Sequence, residues 1–194
     1  NVTVTITEHS GEFDYDGEEH TVSGYDVTSI QIGGESTTLY TANDFTFNGD
    51  STVNGSFAGT YAMDLKPMDF TNTNSNFAVV TFNIVDGQMV IKPIDVIVTI
   101  TEHSATVDYN GAVQKVTGYG FSASTPLYTV ADFTFTGDST VSGKDAGTYY
   151  MHLIADNFEN TSNNFADVTF NIVDGQLVIK PIDVTVTITE HSAE

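Results

Sequence analysis

The sequence predicts an all-β protein built from two copies of one structural unit. Three observations support this: apolar and polar residues alternate along many short segments, helix signals are nearly absent, and most of the first half recurs in the second. Alternation with a period of two is typical of a half-buried strand. About seven such segments within roughly 90 residues are typical of a small β-sandwich of the immunoglobulin-like (Ig-like) kind.

The repeat sets the predicted domain boundaries. The segment VTVTITE at residues 2–8 recurs with one substitution at 96–102 and unchanged at 184–190. The offset between the two units is 94 residues at first and 88 from Leu39 onward, so the first unit carries six extra residues within 26–38. We therefore assign residues 1–94 to the first unit, 95–182 to the second and 183–194 to the first strand of a truncated third unit.

A second phase of the repeat fits the same pattern. In that phase residues 184–192 complete the second unit, and residues 1–10 are the orphan copy. In the first phase the 183–194 tail lacks its partners. Because an alternating strand with an unpaired edge tends to find another edge, we expect edge-strand pairing of this tail with a neighbouring chain.

Local signals place the strands and turns of the first unit. The segment NIVDGQMVI predicts a tight hairpin, with Asp86-Gly87 supplying the positive φ angles of a type I′ turn. The segment YTANDF has Thr41 and Asp44 at capping-box spacing and predicts a single helical turn. A β-grasp-like sheet is the alternative fold, although it normally requires a longer helix. The predicted strands are roughly Val2–Glu8, Glu12–Tyr15, His20–Thr28, Asp44–Phe47, Gly59–Leu65, Ala78–Val85 and Gln88–Lys92.

The units join at the segment IKPID, which occurs twice. Pro93 and Pro181 cannot donate to a sheet ladder, so each ends a strand. Only about four residues separate the strands of consecutive units, and none is glycine, so the joint is not a flexible linker. We expect the adjacent repeat units to be partners within the chain, held end to end in an elongated particle.

The charge balance restricts the partners. The chain has 26 acidic and 5 basic residues, for a formal net charge of −21. Nucleic-acid binding is excluded because phosphate contacts need Lys and Arg, and an anionic membrane surface would repel the chain. No apolar run approaches the ~20 residues that cross a bilayer, so we expect no direct membrane insertion of this segment. There is no cysteine, so no disulfide supports the core. The chain starts without a signal peptide or Met, and we interpret it as an excerpt of a longer protein.

Two groups of residues have side chains that metal sites use. DYDGEE at residues 14–19 has acidic residues at alternate positions beside a glycine, as calcium loops do. The second copy, DYNGAV, lacks three of these carboxylates, so a β-turn with solvated acids is favoured. One histidine per unit, at His9, His103 and His191, gives no converging zinc ligands.

Glu8, His9 and Ser10 carry the three side chains of a nucleophilic site. Neighbouring residues of a strand point to opposite faces, so these three cannot converge as a catalytic triad. We therefore expect a protein that is not an enzyme, with no catalytic, cofactor-binding or metal-binding residues.

Some residues have the side chains that internal cross-links use. An isopeptide bond needs a buried lysine, but Lys92 and Lys180 each lie beside an exposed junction proline. An ester bond could join Thr5 to Gln88, or Thr99 to Gln176, although each glutamine follows a turn glycine close to solvent.

Most aromatic residues recur at fixed positions, which is what core packing requires. The residues that do not recur are better candidates for contacts with a ligand. They are the Ile30–Glu35 neighbourhood, Lys115, Tyr119, Gly120, Phe121 and His152.

The repeated motifs resemble a known class of repeats. FDYDGEEHTVSGYDV, VDYNGAVQKVTGYGF, the two AGTY segments and DGQLVIKPIDVTVTI resemble the tandem YDG- or MBG-type repeats of very large bacterial cell-surface proteins, common in gut Firmicutes. The second unit departs from Tyr-Asp-Gly with Asn110, which suits a turn before glycine equally well. The resemblance implies an extracellular, wall- or membrane-anchored protein of adhesin-like architecture, with no catalytic residues to carry over.

These observations favour a structural function. We expect spacer or stalk units that hold a distal adhesive domain away from a bacterial cell. The alternative is a binding module, in which the repeats themselves recognise host glycan, mucin or protein. A binding module should present a cleft or a large apolar patch at the same place on both units, whereas a stalk should not.

Overall fold

The computed structural model describes residues 1–191, which form strands, turns and three 3-10 turns of three residues each. The all-β class and the tandem organisation are confirmed. A β-grasp-like unit requires a helix packed on its sheet, and no helical segment within 1–191 exceeds three residues. The same residues contain no helix with the length and hydropathy of a membrane span.

The chain divides into two compact units. Unit 1 comprises residues 1–95 and 163–166, and unit 2 comprises 96–162 and the described residues from 167 onward. The strands of the first repeat are β1 (Val2–Glu8), β2 (Gly11–Asp14), β3 (His20–Ser23), β4 (Tyr25–Ile32), β5 (Glu35–Ser36), β6 (Phe45–Phe47), β7 (Thr52–Gly55), β8 (Gly59–Ala62), β9 (Phe70–Asn72), β10 (Val80–Val85) and β11 (Gln88–Lys92). Those of the second are β12 (Ile94–Glu102), β13 (Ala105–Asp108), β14 (Gln114–Thr117), β15 (Tyr119–Ala123), β16 (Phe133–Phe135), β17 (Thr140–Gly143), β18 (Gly147–Tyr150), β19 (Phe158–Asn160), β20 (Phe165–Val173) and β21 (Gln176–Lys180).

Each repeat builds two principal sheets. In the first repeat they have the orders β10-β1-β4-β5 and β2-β11-β8. β1 runs parallel to β10 and antiparallel to β4, while β11 runs parallel to β2 and antiparallel to β8. The second repeat has the corresponding sheets β15-β12-β20 and β13-β21-β18. Short antiparallel pairs complete the fold: β3–β7, β6–β9, β14–β17 and β16–β19.

The core of unit 1 draws on both principal sheets, as a sandwich requires. Alternation along β1 buries Val2, Val4 and Ile6, and Met89 and Ile91 of β11 join the same cluster. Each such fully buried aliphatic side chain contributes about 1.5–3 kcal/mol relative to exposure. Aromatic rings pack beside them, namely Tyr40, Phe45, Phe70 and Phe82.

The predicted hairpin at Asp86-Gly87 is wrong. β10 and β11 flank this dipeptide but belong to different sheets, and the φ of Gly87 is not positive. A true two-residue hairpin lies at Gly33-Gly34, where Ile32 faces Glu35. Their φ angles of 62° and 91° are those a type I′ turn requires. This hairpin lies within the range 26–38, where the first repeat carries its extra residues.

Three other strand predictions need correction. The segment His20–Thr28 is two strands, because Gly24 with a φ of 95° ends β3 and lets β4 join β1. The segment Gly59–Leu65 ends at Ala62, because Asp64 adopts a left-handed φ of 66°. The short strands β7 and β9 were not predicted, since three or four residues carry too little alternation.

The single turn predicted after Tyr40 is confirmed. Residues Ala42–Asp44 form a 3-10 turn, and the Thr41 N–H donates to the Asp44 carboxylate at 2.6 Å. The Asn43 N–H donates to the Thr41 hydroxyl at 3.3 Å, so the capping box is closed in both directions.

The tail after β21 has no assigned strand in residues 181–191. Its apolar residues Val184, Val186 and Ile188 are 75%, 74% and 86% exposed, whereas their counterparts in β1 and β12 are buried. Pairing of the 183–194 tail with another strand stays a prediction. Residues 192–194 of that tail lie outside the described range.

Candidate functional site

A buried carboxylate lies where the chain passes from β1 to β2. Glu8 is 3% exposed. Its Oε1 accepts a hydrogen bond from the Leu65 N–H at 2.6 Å, and its Oε2 accepts one from the Gly87 N–H at 2.8 Å. One side chain therefore joins the end of β1 to the segment after β8 and to the crossing between β10 and β11.

Unit 2 repeats this arrangement. Glu102 is also 3% exposed, and its two oxygens accept from the Leu153 N–H at 2.6 Å and the Gly175 N–H at 2.8 Å. Bonds from backbone N–H groups to a carboxylate are charge-assisted, and burial keeps water from competing for them.

Two backbone features aim the N–H groups at each carboxylate. The residue before each leucine is left-handed without being glycine: Asp64 has a φ of 66° and His152 a φ of 61°. Such residues persist where the surrounding structure determines their conformation. A Cβ added at Gly87 would lie 2.3 Å from the His9 carbonyl oxygen, and one at Gly175 would lie 2.4 Å from that of His103. Only glycine permits these close approaches.

The next two residues of the motif also bind backbone. The His9 ring Nδ1 donates to the Ser23 carbonyl at 2.8 Å, and the His103 ring does the same to Thr117 at 3.0 Å. The Ser10 hydroxyl accepts from the Gln88 N–H at 3.1 Å. In unit 2 the corresponding bond joins the Ser104 hydroxyl and the Gln176 N–H at 3.0 Å.

We call this arrangement the carboxylate corner. It consists of Glu8, His9, Ser10, Gly87 and Gln88 in unit 1, and of Glu102, His103, Ser104, Gly175 and Gln176 in unit 2. Its three side chains each bind the backbone of other segments. The carboxylate binds N–H groups, the imidazole a carbonyl and the hydroxyl an N–H group, so the arrangement holds strands together.

The sequence did contain a signal for the corner. The side-chain period of two puts Glu8 on the same face as the core residues Val4 and Ile6. A carboxylate on a buried face requires hydrogen-bond partners. The sequence could not name these partners, because Leu65 and Gly87 lie far along the chain.

The acidic DYDGEE segment forms a turn. The Asp16 carboxylate accepts from the Glu18 N–H at 2.9 Å and lies 3.0 Å from the His20 Nε2. The Glu18 N–H, and after it His20, hold the Asp16 pKa below its usual value. The Asn110 side chain accepts from the Ala112 N–H at 2.9 Å in the same way. Within residues 1–191 no group of three or more His, Cys, Asp or Glu side chains could hold a metal ion.

The cross-link candidates do not come together in unit 1. Lys92 pairs with Glu12, and both side chains are more than half exposed, so the dry pocket that an isopeptide bond needs is missing from this place. Thr5 lies in the sheet of β1, whereas Gln88 begins β11 in the other sheet. Thr99 and Gln176 are separated in the same way, in β12 and β21.

Several of the residues predicted as ligand contacts have structural positions, and Tyr119 does recur, because Tyr25 packs in the same way on Phe47 in unit 1. The Tyr119 ring packs 5.2 Å from Phe135, and the Phe121 ring 5.6 Å from Phe133, so both join the core of unit 2. Gly120 lies between them in β15, and Lys115 lies in β14. His152 is the left-handed residue before Leu153.

The Ile30–Glu35 neighbourhood borders a groove in unit 1. The groove has a volume of about 480 Å³ and lies beside the β4–β5 hairpin. Six of its ten lining residues carry Ser or Thr hydroxyls, and none of the ten is charged. Those six are Thr28, Ser29, Ser36, Thr37, Thr38 and Thr41.

Comparison with known proteins gives one match. A family model described as the MBG domain matches residues 2–93 and again residues 96–190. The two matches lie in tandem and together cover nearly the whole chain. No curated protein and no solved structure matches the chain.

Proposed function

The chain belongs to the MBG domain family, with two tandem copies, and we propose that these copies are non-catalytic repeats of a bacterial cell-surface protein. In this proposal they lie outside the cell, in a protein anchored to its wall or membrane by other regions. They act as a stalk that holds an adhesive domain away from the surface.

The observation that carries the proposal is the use made of the recurring polar residues. The Glu-His-Ser motif, which has the side chains of a hydrolase, binds backbone in both units. A spacer needs each unit to be held firmly, and a carboxylate corner in every copy meets that need. The net charge of −21 supports a solvated surface, and copies of the chain repel one another electrostatically.

A display experiment tests the stalk. A ligand-binding domain of known affinity is joined to a cell-wall anchor through this 194-residue chain or through a Gly/Ser linker of equal length. Such a linker has a root-mean-square end-to-end distance of about 80 Å. Capture of receptor-coated beads is measured with the surface polymers of the cell intact and after they are removed.

The stalk proposal expects the chain to give clearly more capture than the linker on intact cells, and equal capture on stripped cells. Equal capture on intact cells would reject it. The stripped cells control for the folding and number of the displayed domains.

A second candidate function is a binding module for host glycan, mucin or protein. The groove beside the β4–β5 hairpin favours it, because uncharged hydroxyls can both donate to and accept from a neutral polyhydroxylated ligand. A glycan and mucin array probed with the chain tests it. Saturable binding that is lost in Thr38→Arg, which fills the groove, but kept in Thr134→Arg, an exposed site in unit 2, would establish the module.

Pairing of the tail is a further part of the proposal. Residues 184–190 repeat the sequence of β1 but leave Val184, Val186 and Ile188 exposed. We propose that an adjacent repeat, or an edge strand of another chain, covers them. A tail variant with Val186→Asp and Ile188→Asp should then lose self-association in sedimentation if other copies of the chain are the partner.

A further inference from the structure

The two terminal segments of the first repeat run parallel to each other in both principal sheets. β1 and β10 pair from Val2 with Val80 to Thr7 with Val85. β2 and β11 pair from Gly11 with Met89 to Asp14 with Lys92. The offset between partners is 78 residues in both ladders. The segments therefore stay side by side while both pass from one sheet to the other.

This geometry determines how tension loads the hydrogen bonds between the two terminal segments of the repeat. Tension along the chain enters at the N-terminal end of β1 and leaves at the C-terminal end of β11. In a parallel pair these two ends lie at opposite ends of the ladder. The force therefore slides one segment along the other and loads all the hydrogen bonds between them at once. In a hairpin pulled at its open end, the bonds break one after another.

The ladders are interrupted at the crossing, and the carboxylate corner spans the interruption. The pairs between Thr7–Val85 and Gly11–Met89 are missing from the backbone ladder. Here Glu8 accepts from the Gly87 N–H and Ser10 accepts from the Gln88 N–H. The same carboxylate also holds the Leu65 N–H, so a third segment is tied to the crossing.

We propose that each repeat is a shear-loaded mechanical clamp, and that the carboxylate corner latches its two terminal segments together. This function rests on the proposed stalk, because a stalk between a cell and a bound surface carries tension. The carboxylate of the latch is buried, so water does not replace its bonds to the two N–H groups as the segments begin to slide. A charge-assisted bond is also roughly twice as strong as a neutral one.

The second repeat has the same construction. β13 and β21 pair in parallel from Ala105 with Leu177 to Asp108 with Lys180. β12 and β20 are neighbours in the other sheet. The latch is present as Gly175 to Glu102 and Gln176 to Ser104. The clamp therefore occurs once in each repeat, and each unit can serve as the control for the other.

Single-molecule force spectroscopy on the whole chain tests the direction of loading. In one geometry the handles are attached at residues 1 and 194. In the other they are attached at residue 1 and at Glu35→Cys, which is practical because the chain has no cysteine. Val2 faces Ile32 and Ile32 faces Glu35, so the second geometry peels β1 from β4 at one end of the sheet. The clamp requires a several-fold higher unfolding force for unit 1 in the first geometry, and equal forces would overturn it.

Latch variants test the corner. Glu8→Gln keeps the size of the side chain but leaves a single oxygen and no charge for two N–H groups. At constant force along residues 1–194 it should raise the unfolding rate of the first repeat about tenfold, since forced unfolding follows the unfolding rate. The forced unfolding rate of unit 2 should not change. Glu102→Gln should raise the rate of unit 2 and leave that of unit 1 unchanged. Glu19→Gln, at an exposed position, is the matched control.

The outcomes separate the latch from a general loss of stability. Phe45→Leu weakens the core of unit 1 away from the corner. If Glu8→Gln raises the forced unfolding rate no more than a Phe45→Leu variant of equal denaturant stability, the corner is no latch. The display experiment measures reach and applies no tension. If the force experiments reject the clamp, the stalk proposal therefore still holds. If the display experiment rejects the stalk, the measured unfolding forces remain valid but no longer have a function in a stalk.

Discussion

Unit 1 and unit 2 share the carboxylate corner but differ in most of the side-chain pairs around it. The corner bonds recur with distances that agree within 0.2 Å. The ion pair of Lys92 with Glu12 has Thr106 in place of the acid in unit 2. The pair of Asp16 with His20 becomes Asn110 and Gln114.

The difference teaches which interactions the fold depends on. The recurring bonds of the carboxylate corner have one partner in the backbone, whose position the fold itself fixes. Each pair that does not recur has at least one side chain that is more than half exposed, and such pairs contribute only about 0–1 kcal/mol. A repeat can therefore exchange them freely, while a change at the corner should damage either unit to the same degree.

The largest expected effect comes from removing the buried carboxylate. Glu8→Ala leaves two buried N–H groups without acceptors and should cost unit 1 about 3 kcal/mol in its free energy of unfolding. Glu102→Ala should cost unit 2 a similar amount. Denaturant unfolding of the whole chain, with amide exchange to assign each transition, measures both losses.

Glu19→Ala, at an exposed position, should change neither transition by more than about 0.5 kcal/mol. The two corners would not be equivalent if the losses of unfolding free energy from Glu8→Ala and Glu102→Ala differed by more than about 1.5 kcal/mol, which is half of the loss expected for each.

The second effect comes from adding a methyl group at the crossing. Gly87→Ala brings a Cβ to within 2.3 Å of a carbonyl oxygen, and Gly175→Ala to within 2.4 Å. Both contacts are with backbone, so strands must move, and we expect a loss of about 2 kcal/mol in each unit. Gly59→Ala is the matched control, because its nearest neighbour would lie 3.8 Å away on the Tyr61 ring. A loss at Gly59 equal to that at Gly87 would mean that close approach is not the reason.

The glycines also show how far the sequence alone could lead. Asp86-Gly87 and Gly33-Gly34 both have the composition of a hairpin turn, yet only the second forms one. Position 87 requires glycine because the backbone of Glu8 and His9 passes close to it. That segment is nearly 80 residues away in sequence. Local patterns therefore placed β1, β10 and β11 well, whereas the pairing of β1 with β10 was beyond them.

The same limit applied to the site. Period-two alternation put Glu8 on the buried face, but a carboxylate there can serve catalysis, metal binding or structure. The choice depends on which groups surround it. Here the environment is two N–H groups from distant segments, brought to the carboxylate by the left-handed Asp64 and by the close approach that Gly87 permits.

A smaller effect appears at alkaline pH and concerns two equivalent tyrosines. Burial, and after it the negative charge of Asp132, raises the pKa of Tyr128 to about 12. Burial and Asp44 raise the pKa of Tyr40 as well. The unfolded chain loses these protons first, so each unit should lose stability as the pH rises from the unfolded pKa of 10.0 through the folded value.

Ultraviolet absorbance of phenolate, recorded during a pH titration, checks this prediction. Tyr128→Phe should remove the ionisation near pH 12 and leave that of Tyr40 in unit 1. Ionisation of Tyr128 at its ordinary pKa in the folded chain would show that its ring is not as enclosed as the structure has it.

The smallest effect separates the units at acid pH. The Glu18 N–H and His20 hold the Asp16 pKa below 3.8. A lowered carboxyl pKa gives stability that is present above the unfolded pKa and is lost as the pH falls through the folded one. Unit 1 should therefore show this loss and unit 2 should not, because Asn110 makes the same turn without a charge.

Asp16→Asn tests the point by giving unit 1 the residue of unit 2. The turn should survive, because the Asn110 side chain accepts from the N–H two residues on in the same way. The acid-dependent part of the stability of unit 1 should disappear. In the unaltered chain, carbon NMR of the Asp16 carboxyl should give a pKa below 3.8, and His20→Gln should raise it only in part, since the Glu18 N–H is the larger cause. A pKa of 3.8 or above in the unaltered chain would mean that neither the pair with His20 nor the turn bond stabilises the Asp16 carboxylate, and that the two units differ here in sequence alone.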